Sequence, residues 1–374
     1  MPRRPGTDRW LLGATLALCL IGTFMVFSAS AVTAKEEYGH SIYFLVRQIA
    51  WLVLGLAGMI LLMRLDYRRL REPAVVISVV SVVFAMLIAV LFLDKSHATH
   101  RWIPLGPVHL QPSELAKLAV ILYLAWFLDL KGRKTSRIEF CKEDFKERLA
   151  PAIAPVLLFI VLVVLQPDLG TSIEIALIAF TVLFAAGLSS EWVGVGALCS
   201  IPVLYFQIAY VGYRHDRVLA FLNPEADPQG KGFQLLQSLI AVGSGGLTGV
   251  GLMESKQKLF YLPEAHTDFI YAVICEELGF LGALVVLALF AVYGWRGIRA
   301  AVGAPDRFGR LLAVGITAMV LSQALVNFAV VLGMVPTKGI PLPFVSYGGS
   351  SLLVMLLATG VLLKISQQAE EPKW

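Results

Sequence analysis

WLLGATLALCLIGTFMVFSASAV, residues 10–32, carries no charged side chain over the length of a membrane helix. At about 1.5 Å per residue, about 20 apolar residues cross a hydrocarbon layer of about 30 Å. Basic residues precede the run and Ser28-Ala29-Ser30-Ala31 lies near its end, the outline of a secretory signal. The run is longer than a signal core, so it reads as a first membrane span. Similar runs follow one another as far as Ile365. Hydrophobic residues make up 57% of the 374 and charged residues 15%, which places the chain among polytopic membrane proteins. Lipid offers no hydrogen-bond partner to bare backbone, so each span must be a helix or part of a closed barrel. The runs are too long for barrel strands of about 10 residues, and the fold class is therefore all-α.

Hydropathy windows place ten spans at 10–32, 42–63, 74–93, 112–130, 151–166, 169–187, 190–211, 266–293, 309–335 and 347–365. They form one transmembrane domain over residues 1–374. A large extracytoplasmic loop, the cap at 212–265, joins the seventh and eighth spans. With both termini cytoplasmic, about 20 of the basic residues fall inside and about 11 outside, as the positive-inside rule requires. All six histidines (His40, His97, His100, His109, His215 and His266) then lie on the outer side. The net charge of +5 belongs to juxtamembrane clusters and needs no nucleic-acid partner. Four cysteines, Cys19, Cys141, Cys199 and Cys275, are scattered without the spacing of a disulfide framework or a zinc site.

Two outer segments stand apart from plain connections. The first, 94–113, carries His97, His100, Arg101 and Trp102 before a helix that opens Ser113-Glu114-Leu115-Ala116-Lys117. Ser113 is a natural N-cap, and Glu114 suits the positive end of the helix dipole. Glu114 and Lys117 share a helix face, either as a capping acid with a snorkelling lysine or as a charged pair lining a polar cavity. The second segment is the cap, about 50 residues of mixed apolar and glycine content, which reads as a folded piece lying on the membrane. Its turn Gly243-Ser244-Gly245-Gly246-Leu247-Thr248-Gly249-Val250-Gly251 lacks the lysine-serine of a phosphate-binding loop.

The cap ends in Lys256-Gln257-Lys258-Leu259-Phe260-Tyr261-Leu262-Pro263-Glu264-Ala265-His266-Thr267-Asp268-Phe269. Charge at a membrane boundary is costly and points to function. With Pro263 in the first turn of the eighth span, Asp268, Ala272 and Glu276 would share a face, and Glu276 would lie about 12 Å into the membrane. Glu276 and Glu277 are expected to find partners such as Gln323 and Asn327 on another span. Asp268, near water and several cations, is the candidate for chemistry. A carboxylate beside cations suits a substrate with a hydroxyl to deprotonate and a phosphate to hold, although a proton-coupled transporter fits the composition equally well.

The chain resembles the SEDS family (shape, elongation, division and sporulation) over essentially its whole length. The resemblance rests on Met25 to Ser30, His100-Arg101-Trp102-Ile103, Gln111 to Lys117, Gln166-Pro167-Asp168-Leu169-Gly170, Gln237-Ser238 with its glycine turn, Tyr261 to Phe269, Glu276-Glu277-Leu278-Gly279 and Pro343 to Ser350. Gln257-Lys258 and Tyr261 to His266 look like the division branch; the elongation branch tends to carry an arginine where Ala265 stands. Met253-Glu254 departs from the Gly-Asn usual in division members.

The resemblance implies a peptidoglycan glycosyltransferase that polymerises lipid II on the outer face of the bacterial cytoplasmic membrane, by inversion, with undecaprenyl diphosphate leaving. It implies Asp268 as the general base, and Arg101, Glu114 and Lys117 as residues of the same cavity. Lys258 and Glu264 are further candidates for diphosphate contact and positioning. A divalent cation (Mg²⁺ or Mn²⁺) is compatible with this chemistry, though the outer histidines show no metal-ligand spacing. The expected partners are a class B penicillin-binding protein, a single-span transpeptidase, and other division proteins. An elongation polymerase and a lipid II flippase are the alternative roles.

Overall fold

A computed structural model describes residues 6–93, 101–106, 108–132, 137–209 and 212–369. His97 and His100 lie outside the described residues. The helices are α1 (Arg9–Tyr38), α2 (Tyr43–Arg64), α3 (Pro73–Leu93), α4 (Pro112–Lys131), α5 (Lys142–Asp144), α6 (Ala150–Leu165), α7 (Leu169–Ala185), α8 (Ser190–Ala209), α9 (Gly212–Leu222), α10 (Phe233–Ser244), α11 (Ile270–Val302), α12 (Arg307–Val331) and α13 (Gly349–Gln368). Before α4, β1 (Ile103–Leu105) pairs antiparallel with β2 (Val108–Leu110), Ile103 opposite Leu110.

Eight of the described helical stretches are long and apolar enough to cross a membrane. Two more helices complete the bundle. The first, α4, has the length but carries Glu114, Lys117, Asp129 and Lys131; the second, α7, has 17 residues. Charge within α4 is paired at both ends: Asp129 with Arg71 at 2.7 Å, and Glu114 with Lys117 at 2.8 Å. The core lies where α4, α11, α12 and α13 meet, with α1 on α11 and α2 along α13. Across the basic end of the bundle, Asp8 caps α1 through the Trp10 and Leu11 N–H groups and pairs with Arg296 of α11 at 2.6 Å.

Helix ends depart from the hydropathy windows in an instructive way. The window for the eighth span closes at 293, whereas α11 continues to Val302 and carries Arg296 and Arg299 beyond the apolar run. Hydropathy measures lipid contact, and a helix does not stop where lipid does. At its start, α11 begins at Ile270 rather than near Pro263. Glu264 has φ +56, a left-handed conformation that cannot continue a right-handed helix. Asp268 therefore sits ahead of the helix and does not share a face with Ala272 and Glu276. Likewise Gln111, not Ser113, is the N-cap of α4, because Pro112 with its missing N–H takes the first helical position.

Within α11 the chain breaks at Gly279, with φ +65. The Glu276 and Glu277 carbonyls would ordinarily accept from the N–H groups of Phe280 and Leu281. Instead the glycine-rich turn of the cap supplies all four partners. Val250 and Gly251 donate to those carbonyls at 2.9 and 3.2 Å, while Phe280 and Leu281 donate to the Gly246 and Leu247 carbonyls at 2.9 and 3.2 Å. Backbone irregularity at membrane depth is tolerated where protein satisfies it in this way. A Cβ on Gly249 would lie 2.0 Å from the Glu277 carbonyl oxygen, which is why the turn is glycine there.

Glu276 and Glu277 also find partners other than Gln323 and Asn327. Glu276 accepts from the Ser255 hydroxyl and from the backbone N–H of Lys256 at 3.0 Å. Glu277 accepts from Ser28 of α1 at 2.6 Å, Lys258 Nζ at 2.8 Å and the Met253 N–H at 3.1 Å. Both carboxylates thus anchor the segment 253–258 into the bundle.

Candidate functional site

A cavity of about 710 Å³ opens among α2, the β-hairpin, α4, α7, the segment before α11 and the loop 339–349. Phe44, Trp51, Leu54 and Tyr347 give it an apolar wall. Arg101, Glu114, Asp168, Glu174, Glu264 and Asp268 give it a charged one.

Asp268 lies at the junction of three elements. Asn327 of α12 donates to the Asp268 carbonyl at 2.7 Å and to the Ile340 carbonyl at 2.8 Å, fixing the backbone of both segments. The carboxylate rests against Gly339, where a Cβ would come within 2.7 Å of Oδ2. Among the described residues it accepts no hydrogen bond and forms no ion pair. Burial pushes it up to about 7; the Glu264 and Asp168 carboxylates push the same way, and Arg217 and Arg101 oppose them. A carboxylate in that range is poised to take a proton near neutral pH.

Arg101 donates from Nε to the Gln166 carbonyl at 3.1 Å and also donates to the Pro167 carbonyl, which fixes the turn before α7. Asp168 caps that helix, accepting from the Thr171 N–H at 3.2 Å and its hydroxyl at 2.8 Å. Lys117 is fully buried behind the cavity and bonds Glu114 at 2.8 Å, Glu174 at 3.3 Å and Gln323 at 2.7 Å. Among the described residues one oxygen of each glutamate, Glu114 Oε2 and Glu174 Oε1, has no hydrogen-bond partner. The charged-pair reading of Glu114 and Lys117 is the one this geometry fits. Gln323 also donates to the Pro341 carbonyl at 2.8 Å, so α12 ties the buried ion cluster to the loop that backs Asp268.

Of the six sequence-derived site residues, the structure brings Arg101, Glu114, Glu264 and Asp268 to the cavity wall and sets Lys117 directly behind it. Lys258 is placed elsewhere: its ammonium is buried against Glu277 and Ser28 and cannot reach a diphosphate in the cavity. His266 makes no hydrogen bond to Asp268 among the described residues. Its ring packs on Phe44 and Tyr347 at centroid distances of 4.6 and 5.7 Å, and burial holds its pKa below the usual imidazole value.

Three residues were not among the sequence-derived site candidates. Glu174 is a carboxylate inside an apolar span, a signal sufficient to have marked it. Arg217 projects from α9 and donates to the Thr337 carbonyl at 3.1 Å. Lys338 follows Thr337 and is half-buried, and its ammonium makes no hydrogen bond or ion pair among the described residues. Burial and the nearby Arg214 and Arg217 lower it to about 8 against the pull of Asp168. Among the described residues no group of three or more His, Cys, Asp or Glu side chains comes together to hold a metal ion.

The family FTSW_RODA_SPOVE, described as "Cell cycle protein", matches residues 9–371. This chain belongs to that family. A relative named "Probable peptidoglycan glycosyltransferase FtsW" from Geobacter metallireducens is 43% identical over 96% of this chain and 94% of its own. Stage V sporulation protein E of Bacillus subtilis is 41% identical over 98% of each. Among solved structures, one reported as "Structural coordination of polymerization and crosslinking by a peptidoglycan synthase complex" is 31% identical, covers 98% of this chain and 99% of that one, and superposes with a TM-score of 0.77. The rod shape determining protein RodA of Thermus thermophilus is 28% identical over 99% of this chain and all of its own, with a TM-score of 0.69. The family resemblance drawn from the sequence motifs and the all-α membrane fold class agree with these findings.

Proposed function

We propose that this chain polymerises lipid II into β-1,4-linked glycan strands at the outer face of the bacterial cytoplasmic membrane, with both termini inside, for septal wall synthesis in division. It is a glycosyltransferase, as its curated relatives are named. The observation that carries the mechanism is the Asp268 carboxylate: free of hydrogen bonds among the described residues, raised to about 7 and facing a cavity lined by both apolar and cationic groups.

In this reading the acceptor's GlcNAc 4-hydroxyl attacks the anomeric carbon of the growing strand's terminal MurNAc. Asp268 takes the hydroxyl proton as the new O–C bond forms. The bond from the anomeric carbon to the diphosphate oxygen breaks, and its electron pair leaves with undecaprenyl diphosphate. One displacement inverts the α-linked donor to a β-linked product, so no covalent enzyme intermediate is needed.

Negative charge builds on the departing diphosphate, and cations near Asp268 offset it. Arg101, Arg217 and Lys338 take that part, which the buried Lys258 cannot. Glu264 positions and tunes Asp268, while Glu114 and Glu174, held by Lys117, offer acceptor oxygens to substrate polar hydrogens. Any Mg²⁺ or Mn²⁺ would enter on the substrate's own diphosphate oxygens, and no step is assigned to it. The apolar wall on α2 suits the polyprenyl tail.

The partner we assign is a class B penicillin-binding protein that crosslinks the new strand, its docking felt through the cap. Equal polymerisation rates with and without that partner would refute the assignment.

Labelled lipid II given to the purified chain in detergent tests the central claim. Wild type is expected to build glycan ladders and Asp268→Ala none. Ladders at normal rate from Asp268→Ala would end the base assignment. A flippase would instead keep moving lipid after that substitution while making no strands in either form.

A further inference from the structure

A second cavity, about 460 Å³, lies at the opposite end of the bundle from Asp268, between the C-terminal halves of α7 and α11 and the N-terminal half of α12. Its walls are Ile298, Val302, Val314, Ala318 and Leu321, with Thr181 and Thr317. Both threonine hydroxyls are spent on their own helices, donating to the Leu177 and Ala313 carbonyls at 2.8 and 2.7 Å. Apart from Arg310, the walls therefore offer a ligand no free hydrogen-bond donor.

One charged side chain lines the cavity, Arg310 in the first turns of α12. It is exposed, and among the described residues its guanidinium makes no ion pair. The nearest acid along the chain, Asp306, is occupied by the Tyr67 hydroxyl at 2.5 Å, the Gly309 N–H at 2.7 Å and Arg68 at 3.3 Å. From Arg310 to Leu321 the groove runs along α12 for about 16 Å at about 1.5 Å per residue. One leaflet of a bilayer has a hydrocarbon depth of about 15 Å.

We propose that this groove is a binding site for an anionic phospholipid of the cytoplasmic leaflet, one acyl chain along α12 and the phosphate on Arg310. Three observations converge on that occupant: an apolar trough without hydrogen-bond donors, a length matching one leaflet, and a single unpaired cation at its interfacial end. A zwitterionic lipid would fill the trough and gain less from the arginine. Arg310 lies far from the cavity of Asp268, so the site is independent of the polymerase assignment.

The test is native mass spectrometry of the full chain, released from nanodiscs of equal phosphatidylglycerol and phosphatidylcholine. Wild type is expected to retain one phosphatidylglycerol preferentially. Arg310→Gln should reduce that preference about fivefold, the size of one basic residue's attraction to an anionic membrane surface. Ala318→Trp, which fills the trough, should remove retention of both lipids, with the folded state of each variant checked by thermal unfolding. Equal retention of phosphatidylglycerol by wild type and Arg310→Gln overturns the proposal. So does a trough variant that keeps its lipid, or one that loses self-association instead. Displacement of the lipid by millimolar inorganic phosphate would also overturn it, since the site would then read a free anion.

Discussion

Asp268 and Lys338 together predict the pH dependence of the reaction. In the proposed mechanism the base works ionised, with a carboxylate raised to about 7, so activity is gained as pH rises through that value. In the same mechanism the lysine works charged, with an ammonium lowered to about 8, so activity is lost as pH rises through that value. The product of the two fractions peaks near pH ~7.5 and falls to roughly one-sixth of its maximum at pH ~6 and pH ~9. Initial rates of ladder formation by the full chain, at limiting lipid II across that range, give the profile.

Three substitutions assign the limbs. Glu264→Gln removes the second cause of the Asp268 shift and should move the acid limb to lower pH by on the order of one unit. Lys338→Arg keeps its charge throughout and should abolish the alkaline limb. Asp268→Asn cannot accept the proton and should slow the reaction by about 10²–10⁴-fold at every pH, with no acid limb left. A flat wild-type profile, or an acid limb that Glu264→Gln moves upward, refutes the reasoning.

Other perturbations follow from the packing. Lys117→Met leaves Glu114 and Glu174 buried without their cation and should cost about 3–5 kcal/mol by thermal or denaturant unfolding, partly recovered by adding Glu174→Gln. Gly249→Ala drives a Cβ into the Glu277 carbonyl at a left-handed position, and the lost clip should lower the unfolding temperature by an amount worth about 2–4 kcal/mol. Lys258→Met should destabilise the fold in the same assay while leaving KM for lipid II nearly unchanged. Arg217→Met should raise that KM by about tenfold or more, the worth of a charge-assisted hydrogen bond.

Membrane helices were legible because apolar runs of this length have one physical solution, and of the boundary charges at 256–269 the structure brings Glu264 and Asp268 to the cavity wall. Asp268 was singled out by its place near water and cations, and the family resemblance gave it the base role; helical spacing put it on a face it does not occupy, since nothing local marks Glu264 as left-handed. The true partners of Glu276 and Glu277 were illegible for a different reason. Ser28 is 249 residues from Glu277 along the chain, and helical periodicity says nothing about which distant hydroxyl will meet a carboxylate. Lys258 was misplaced because composition cannot tell an amine facing a cavity from one neutralising a buried acid. Glu174, by contrast, was readable and overlooked: a lone acid in an apolar run announces itself.

The clip at Gly279 bears on how the protein is made. Residues 246–251 are synthesised before 276–281, yet they complete the hydrogen-bond ladder of the later span. Until the cap folds back, the two carbonyls and two N–H groups can pair with one another only if the helix runs straight through Gly279, since in the kinked form each would cost several kcal/mol in hydrocarbon. The kink is thereby tied to correct folding of an outer loop. A chain whose cap is shortened through the glycine turn is expected to straighten this span, a change read by its proteolytic survival.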